Sequence, residues 1–294
     1  MKRKKSAICF DLLNSVFMIV LMFSSLMPLL HMLAVSLSEA RYGASGLVGI
    51  IPKGFTLEGY AYLLERPEFF KATWITVKRV VIGTILETIV CVLTAYPLSK
   101  SNKTLHGRTV YAWFFAFTMF FGGGLIPYYF VIRHLGLLND FWVLILPGMC
   151  NVGRVVMMMN FFRRIPKALE EAAFIDGAGH SRVLFSVILP LSLPSIATIV
   201  LFTATGHWNS WFDGQMFMNK PANYPLATYL RQAISVTNTS KQYMTQEELE
   251  RLSSVDDITL RMAQVFLGTL PIMCIYPFLQ KYFVKGIVVG AVKE

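Results

Sequence analysis

Four stretches of this sequence are long, apolar and free of any formally charged residue: 12–38, 109–132, 183–212 and 262–280. A helix needs roughly 20 residues to cross about 30 Å of hydrocarbon, and each stretch is close to that length or longer. Two further apolar stretches, 73–99 and 140–162, are interrupted by only a few charges. The sequence therefore predicts an all-α integral membrane protein with six transmembrane helices.

The composition excludes an ordinary soluble domain. The chain has 294 residues, of which 55% are hydrophobic and 15% are charged, whereas soluble domains average about 45–50% and about 25%. The net charge of +10 could indicate nucleic acid, but nucleic-acid-binding chains do not combine basicity with such long uncharged runs. The four cysteines have no short spacing, which indicates neither a metal cluster nor a disulfide framework.

The distribution of Lys and Arg predicts the orientation, because cytoplasmic loops carry the excess. The basic residues are denser in the amino-terminal tail, in 100–108, in 163–182 and at the carboxyl end. A signal peptide is the alternative for the amino terminus, but its apolar region is usually about 7–15 residues, and 12–38 is longer. We expect a single transmembrane domain with both termini in the cytoplasm. The expected spans are 12–37, 73–99, 109–132, 140–162, 190–212 and 262–281.

The one long cytoplasmic loop, 163–190, is amphipathic. Pro166 suits the first position of a helix, which we expect to run to Ile175, with Glu170 and Glu171 near its positive end. Gly177 can then reverse the chain. We expect the remaining residues to form a second short helix, capped by Ser181 and ending before Pro190. An amphipathic helix resting in the lipid interface is the alternative, but the basic residues flank this loop instead of lining one face.

A motif in this loop identifies a family. Glu171-Ala172-Ala173, then Gly177, then VILP at 187–190 resembles the EAA motif in permease subunits of ATP-binding-cassette (ABC) importers, although the family has Ile where this chain has Val187. The string EEAAFIDGAG resembles the carbohydrate-uptake, MalG-like branch, and LTAYPLSK, FGGGLIPYYFVIRHLGLLNDFWVLILPG, HWNSWFD and YFVKGIVVGAVKE agree with it. The chain is most similar to the LplC/YtcP oligosaccharide subfamily.

The resemblance implies a type I ABC importer permease fold and a partner set. The partners are a second permease subunit in a heterodimer, a cytoplasmic ATPase dimer, an extracellular solute-binding protein contacting the outer loop 213–261, and a sugar. ATP and Mg belong to the ATPase, so this chain itself binds no cofactor, and it lies in the bacterial plasma membrane. The residues implied to dock on the ATPase are Glu171, Ala172, Ala173, Asp176 and Gly177. Gly177 is expected to be the least replaceable, and contact of the tail at 290–293 with the ATPase is also implied.

Polar side chains within spans are costly and tend to face a cavity or one another. Helical spacing aligns Arg79, Gly83 and Glu87 on the second span. The candidate substrate path comprises Asn209, Trp208, Trp211, Asn151, Arg154, Glu87 and Thr205. Asn209 beside two tryptophans is the most sugar-like group, but the tryptophans also fit an aromatic belt. Arg79 is interpreted as snorkelling to the interface, and Glu87 as an interhelical partner of a basic or polar group.

Other function classes are less well supported. The sequence has no Gly-Lys pair, H-E-x-x-H or G-x-S-x-G, which argues against an ATPase, a zinc protease or a serine hydrolase. An ion-coupled secondary transporter using Glu87 or Asp11 is the serious alternative. It would show inverted pairs of broken spans, and only the third span, at 122–124 and Pro127, is clearly interrupted.

Overall fold

The computed structural model describes residues 5–235 and 258–274, with side chains described for 10–232 and 258–274. Within these residues the chain is helical, and the only β-type pairing is an isolated bridge between Ser38 and Phe55. The chain divides into two compact units, Met1–Phe70 with Leu230–Leu270 and Lys71–Tyr229 with Pro271–Glu294. Each unit is described by itself.

The described α-helices are α1 (Lys5–Ser36), α2 (Ala40–Ala44), α3 (Glu58–Leu64), α4 (Pro67–Ser99), α5 (Arg108–Phe120), α6 (Leu125–His134), α7 (Val152–Phe162), α8 (Lys167–Ile175), α9 (His180–Val183), α10 (Leu189–Leu191), α11 (Leu193–Asn209), α12 (Phe212–Phe217), α13 (Leu226–Ser235) and α14 (Ile258–Cys274). Short 3₁₀ turns occur at Phe141–Leu144, Leu146–Gly148 and Pro221–Asn223, and a π-helical segment at Leu184–Ile188 joins α9 to α10.

Two helices are long and apolar enough to cross a membrane unbroken, α1 over Phe10–Ser36 and α4. Most of the large apolar side chains of α1 between Phe10 and Leu30 are exposed. Among the described residues this stretch is exposed on all sides, which suits a helix that contacts lipid or another subunit. These two helices match the predicted spans 12–37 and 73–99.

Three other predicted spans are bent pairs of helices. α5 and α6 meet at 115°, the 3₁₀ turns before α7 make 48° with α7, and the run from α9 to α10 makes 82° with α11. Counting each pair as one span gives up to five. The interruption predicted at 122–124 in the third span coincides with the first bend, whereas the bends within 140–162 and 190–212 were not predicted. In the first pair, the bend falls at three consecutive glycines, where Gly124 has a φ of +83° that other residues rarely adopt.

The first unit has two small cores. Ala34 and Val35 at the end of α1 pack with Val48, while Leu63 on α3 packs with Leu260 and Ala263 on α14. The hydroxyls of Ser36 and Tyr60 lie 2.6 Å apart and join the end of α1 to α3. α14 begins before residue 262, where the sixth span was expected, and residues 275–281 of that span lie outside the described residues.

The second unit contains a larger core at the ends of α4 and α7. Its fully buried members include Ala95, Met158, Phe162, Val183 and Ile188. A second cluster of the same unit joins Ile132, the 3₁₀ turn at 141–144 and Phe217 on α12. These two clusters fix the ends of α4 and α7 against the segments that follow them.

The first part of the predicted outer loop 213–261 is helical and contains most of α12 and all of α13. Arg79 on α4 is 3% exposed, and its guanidinium donates to the Asp213 carboxylate at 2.5 Å and to the Ser210 carbonyl at 3.2 Å. The snorkelling interpretation of Arg79 is thus wrong, since a carboxylate within the same unit binds the cation. Thr76 accepts a hydrogen bond from the Leu226 amide at 2.7 Å. Residues 236–257 of the loop lie outside the described residues.

Candidate coupling site and translocation path

The predicted helical hairpin of the cytoplasmic loop is present, with a defined reversal. α8 ends at Ile175, and the Gly177 and Ala178 amides donate to the Phe174 and Ala173 carbonyls at 3.0 and 2.9 Å. These two bonds form a Schellman motif, which requires a left-handed residue after the helix. Gly177 occupies that position with a φ of +81°. We call residues 171–178 the elbow.

The elbow presents most of its predicted docking residues outward. Glu171, Ala172, Asp176 and Gly177 are exposed. Ala173 is half-buried and packs with Ala178 against the core of the second unit. Ile175 is 85% exposed, so the elbow combines an apolar tip, small side chains and two carboxylates. An exposed surface of this composition lets a partner approach the backbone closely.

Two details of the hairpin differ from the prediction. Pro166 precedes α8 instead of starting it, and Gly179, not Ser181, precedes the second helix. The second helix also continues past Pro190, as a helical run from His180 to Leu191. Its π-helical segment lies directly before Pro190, which has no N–H to donate to the preceding turn. Pro190 is therefore accommodated within the helix and does not end it.

An ion pair connects α8 to Lys100, the residue that follows α4. The Lys100 ammonium lies 2.6 Å from both Glu170 carboxylate oxygens and 4.2 Å from the centre of the Tyr96 ring. The Lys100 and Glu170 side chains are only 11% and 17% exposed, so this pair is less screened than a surface pair. The sequence did not reveal this contact, because Lys100 was read only as an orientation signal.

A cavity of about 870 Å³ lies behind the elbow, between the ends of α4 and α7 and the starts of α5 and α8. Its lining is rich in charged and polar side chains: Ser99, Lys100, Ser101, Thr104, Arg108, Arg163, Lys167, Glu170, Glu171 and His180, together with Phe162, Ile165 and Phe174. We call it the interfacial cavity. Its polar lining distinguishes it from the apolar core beside it.

A second polar site joins three helices within the predicted membrane region. Glu87 on α4 accepts a hydrogen bond from the Arg154 guanidinium on α7 and lies 3.4 Å from His207 Nε2 on α11. The side chains of Glu87 and His207 are 4% and 10% exposed. Asn151 accepts the Arg154 amide at 3.1 Å and caps α7. We call Glu87, Arg154 and His207 the three-helix cluster.

Two glycines let the helices of this cluster approach. A Cβ on Gly83 would lie 2.5 Å from His207 Nε2, and a Cβ on Gly206 would lie 3.2 Å from Arg154 Nη2. The predicted interhelical partner of Glu87 is therefore Arg154. His207 was missed, although it is the only titratable side chain in the stretch 183–212, and that signal could have identified it.

Three of the other predicted path residues, Thr205, Trp208 and Asn209, lie within two residues of His207 on α11. Asn209 is the exposed last residue of α11, and Thr205 is half-buried. No hydrogen bond or ion pair within residues 5–235 joins either to the cluster. Trp208 and Trp211 are also half-buried, and the Trp211 carbonyl accepts the Thr228 hydroxyl at 2.8 Å. In the part of the chain that the structure describes, no three His, Cys, Asp or Glu side chains form a group able to hold a metal.

Comparison with known proteins identifies the family of this chain. The family described as binding-protein-dependent transport system inner membrane component matches residues 6–289. The chain belongs to this family. The permease is also 36% identical to the polygalacturonan/rhamnogalacturonan transport system permease protein YtcP of Bacillus subtilis, with 97% of this chain and 98% of that protein covered. It is 36% identical to protein LplC of Bacillus subtilis, with 100% and 98% covered.

Solved structures agree with the family. The permease matches a chain of a bacterial ABC transporter involved in the import of the acidic polysaccharide alginate, with a TM-score of 0.86, 29% identity, and coverage of 96% of this chain and 99% of that one. A chain of a bacterial alginate ABC transporter in complex with a pentasaccharide-bound periplasmic protein matches at 14% identity and a TM-score of 0.56, which supports the fold alone.

These findings confirm the predicted ABC permease identity and the importer permease fold. They also confirm the similarity to the LplC/YtcP subfamily. A member of this family is a membrane component of a transport system and not an enzyme, and an ion-coupled secondary transporter does not fit that family.

Proposed function

We propose that this permease is one of two membrane subunits of an ATP-driven importer of oligosaccharides or polysaccharide fragments in the bacterial plasma membrane. It spans the membrane six times with both termini in the cytoplasm, and it works with a second permease, an ATPase dimer that binds ATP and Mg, and an extracellular solute-binding protein. The names of its relatives support the substrate class. The family description supports the solute-binding protein, and the density of Lys and Arg supports the orientation.

The observation that carries this proposal is the exposed elbow backed by a rigid core. Glu171, Ala172, Asp176 and Gly177 face outward, where the ATPase docks, while Ala173 packs inward. A rigid support matters because a docking surface transmits movement only if the structure behind it does not yield. The Schellman motif at Gly177 and the buried side chains of the second unit supply that support.

Movement at the elbow has two direct routes into the membrane region. The first is the Lys100–Glu170 ion pair, which connects α8 to the end of α4. The second is the helical run His180–Leu191, which leads to α11. α4 carries Glu87 and α11 carries His207, so both routes end at the three-helix cluster. We infer that closure of the ATPase changes the packing of α4 and α11 at this cluster.

The translocation path in this proposal runs beside the three-helix cluster. Charged side chains within spans tend to mark such paths, and Glu87, Arg154 and His207 come from three different helices. Asn151, Thr205, Asn209, Trp208 and Trp211 remain the proposed sugar-contacting residues, through their amide, hydroxyl and aromatic groups. On the outer side, the helical segment α12 to α13 and the residues after it are proposed to contact the solute-binding protein.

Reconstitution in proteoliposomes with the second permease, the ATPase and the binding protein tests the proposal. Glu171→Lys and Gly177→Asp are expected to lower uptake about tenfold or more while the complex still assembles, since the first reverses a charge on the docking surface and the second adds one, and a mismatched charge at an interface costs at least the roughly 1.4 kcal/mol that a tenfold effect needs. Gly179→Asp is the matched control, because Gly179 is also exposed but has a φ of −79°. Galacturonan, alginate and maltodextrin fragments test the substrate class.

Two results would contradict the proposal. Normal substrate-stimulated ATP hydrolysis and normal uptake in the Glu171→Lys complex would exclude the elbow as the coupling surface. Uptake that continues without ATP, is insensitive to vanadate and follows an ion gradient would exclude ATP-driven transport.

A further inference from the structure

Two arginines in the interfacial cavity donate to one neutral acceptor. Arg108 Nε lies 2.9 Å and Arg163 Nη2 lies 3.2 Å from the Leu98 carbonyl oxygen. Two guanidinium groups held this close repel each other, and a carbonyl dipole offsets only part of that repulsion. The arrangement therefore favours an anion that binds both groups, for which guanidinium donors are well suited.

The acidic residues of the cavity do not neutralise these arginines. Glu170 is paired with Lys100. No ion pair within the described residues involves Arg108, Arg163 or Lys167, and Glu171, the other acidic lining residue, forms none either. The described lining therefore holds three basic side chains without a carboxylate partner, in a cavity large enough for a small organic molecule.

An apolar face of α5 begins beside the cavity. Arg108 is the first residue of α5, and Tyr111, Phe115 and Met119 follow on the same side of the helix. Tyr111 and Met119 are 55% and 49% exposed. A ligand with an anionic head and a hydrocarbon tail matches this sequence of surfaces. In the proposed topology this end of α5 is cytoplasmic, where anionic headgroups are concentrated.

We propose that the interfacial cavity binds the phosphodiester headgroup of an anionic phospholipid, with Arg108 and Arg163 as phosphate ligands, Lys167 at the rim and the acyl chains along α5. The proposal rests on the cytoplasmic orientation in the proposed function. Because the same cavity is lined by Glu170 and Glu171, a bound headgroup sits directly behind the elbow. The lipid thereby stabilises the support on which coupling depends.

Native mass spectrometry of the assembled, detergent-purified transporter tests the site. The complex is titrated with dioleoyl phosphatidylglycerol or, separately, with dioleoyl phosphatidylcholine. The double variant Arg108→Gln/Arg163→Gln is expected to lose one tightly bound phosphatidylglycerol. Each lost positive charge should weaken the binding of this lipid about fivefold, so the double variant should bind it about 25-fold more weakly. Lys103→Gln/Arg164→Gln is the matched control, since both residues are exposed neighbours that do not line the cavity, and it should keep that lipid.

Two further variants keep the result interpretable if the double glutamine variant does not assemble. Lys167→Gln should weaken the same lipid about fivefold, and Arg108→Lys/Arg163→Lys should retain most of the binding. Equal phosphatidylglycerol counts in wild-type and glutamine variants would overturn the proposal. If inorganic phosphate binds without lipid and is lost in the same variants, the ligand of the cavity is a free anion and not a lipid headgroup. If the glutamine variants lose the ATPase subunit but keep the same number of bound lipids, the arginines contact the ATPase and do not bind lipid.

The lipid count requires neither ATP nor sugar uptake. Failure of the proposed transport function and failure of the lipid site are therefore separate results.

Discussion

The elbow and the three-helix cluster are built in opposite ways. The elbow is exposed, and the hydrogen bonds that shape it join residues three to five positions apart in the chain, such as Ala178 to Ala173. The cluster is buried, and its Glu87–Arg154 pair joins residues 67 positions apart. The comparison teaches that the part contacting a partner is specified by local backbone rules, whereas the part within the membrane region depends on tertiary packing. The two should therefore fail differently when mutated.

The largest effect is expected at the three-helix cluster. Glu87→Leu leaves the Arg154 guanidinium without its carboxylate. Breaking a buried pair costs about 3–5 kcal/mol, and because the Arg154 side chain is 21% exposed, the lower end of that range is expected. Thermal unfolding of the purified complex should show a large decrease in the apparent midpoint. The double variant Glu87→Leu/Arg154→Leu should recover most of it, because apolar replacement of a whole buried pair is often neutral. A double variant as unstable as Glu87→Leu alone would show that the pair is not what holds α4 to α7.

A smaller effect is expected at the elbow. Residues with a Cβ cost about 1–2 kcal/mol in left-handed geometry, and Asn tolerates it best among them. Gly177→Asn should therefore keep more uptake than Gly177→Ala, and Gly177→Ala more than Gly177→Val. No atom of this chain lies within 4 Å of a Cβ at Gly177, so crowding within the chain cannot produce this order, and crowding against the ATPase would follow side-chain volume and place Ala ahead of Asn. Uptake rates at equal protein levels measure it, and an order that follows side-chain volume alone would contradict the backbone explanation.

The same contrast explains what the sequence could predict. The end of α8 at Ile175 and the reversal at Gly177 depend on adjacent residues, and both were predicted. The partners of Arg79 and Lys100 are Asp213 and Glu170, which lie 134 and 70 positions away. Helical spacing places Arg79 and Glu87 on one face of α4, but it cannot say which helix packs there. Each of these partners was therefore missed, as were the bends within 140–162 and 190–212, whereas the interruption at 122–124 depends on local glycines and was predicted.

The next effect tests how closely α4 and α11 approach. A Cβ at Gly83 would lie 2.5 Å from His207 Nε2. Gly83→Ala should cost about 1–3 kcal/mol through crowding, of which about 1 kcal/mol is offset by the better helix propensity of Ala. Removing the imidazole in Gly83→Ala/His207→Ala should restore the unfolding midpoint to that of His207→Ala. Equal destabilisation by Gly83→Ala with and without His207 would show that crowding against the imidazole is not the cause.

The smallest effect on stability is expected at the Lys100–Glu170 pair, yet this pair links the two regions. Exposed ion pairs contribute about 1 kcal/mol or less. This pair is more buried, but it lines the interfacial cavity, where water can solvate Glu170 once Lys100 is replaced, so Lys100→Met should lower the unfolding midpoint only slightly. If elbow movement reaches α4 through this pair, however, the ratio of sugar imported to ATP hydrolysed should fall severalfold. Lys100→Arg keeps both the Glu170 contact and a cation over the Tyr96 ring, and it should retain the wild-type ratio. A normal ratio in Lys100→Met would leave the run from His180 to α11 as the route, and the elbow would then act on the cluster through His207 instead of Glu87.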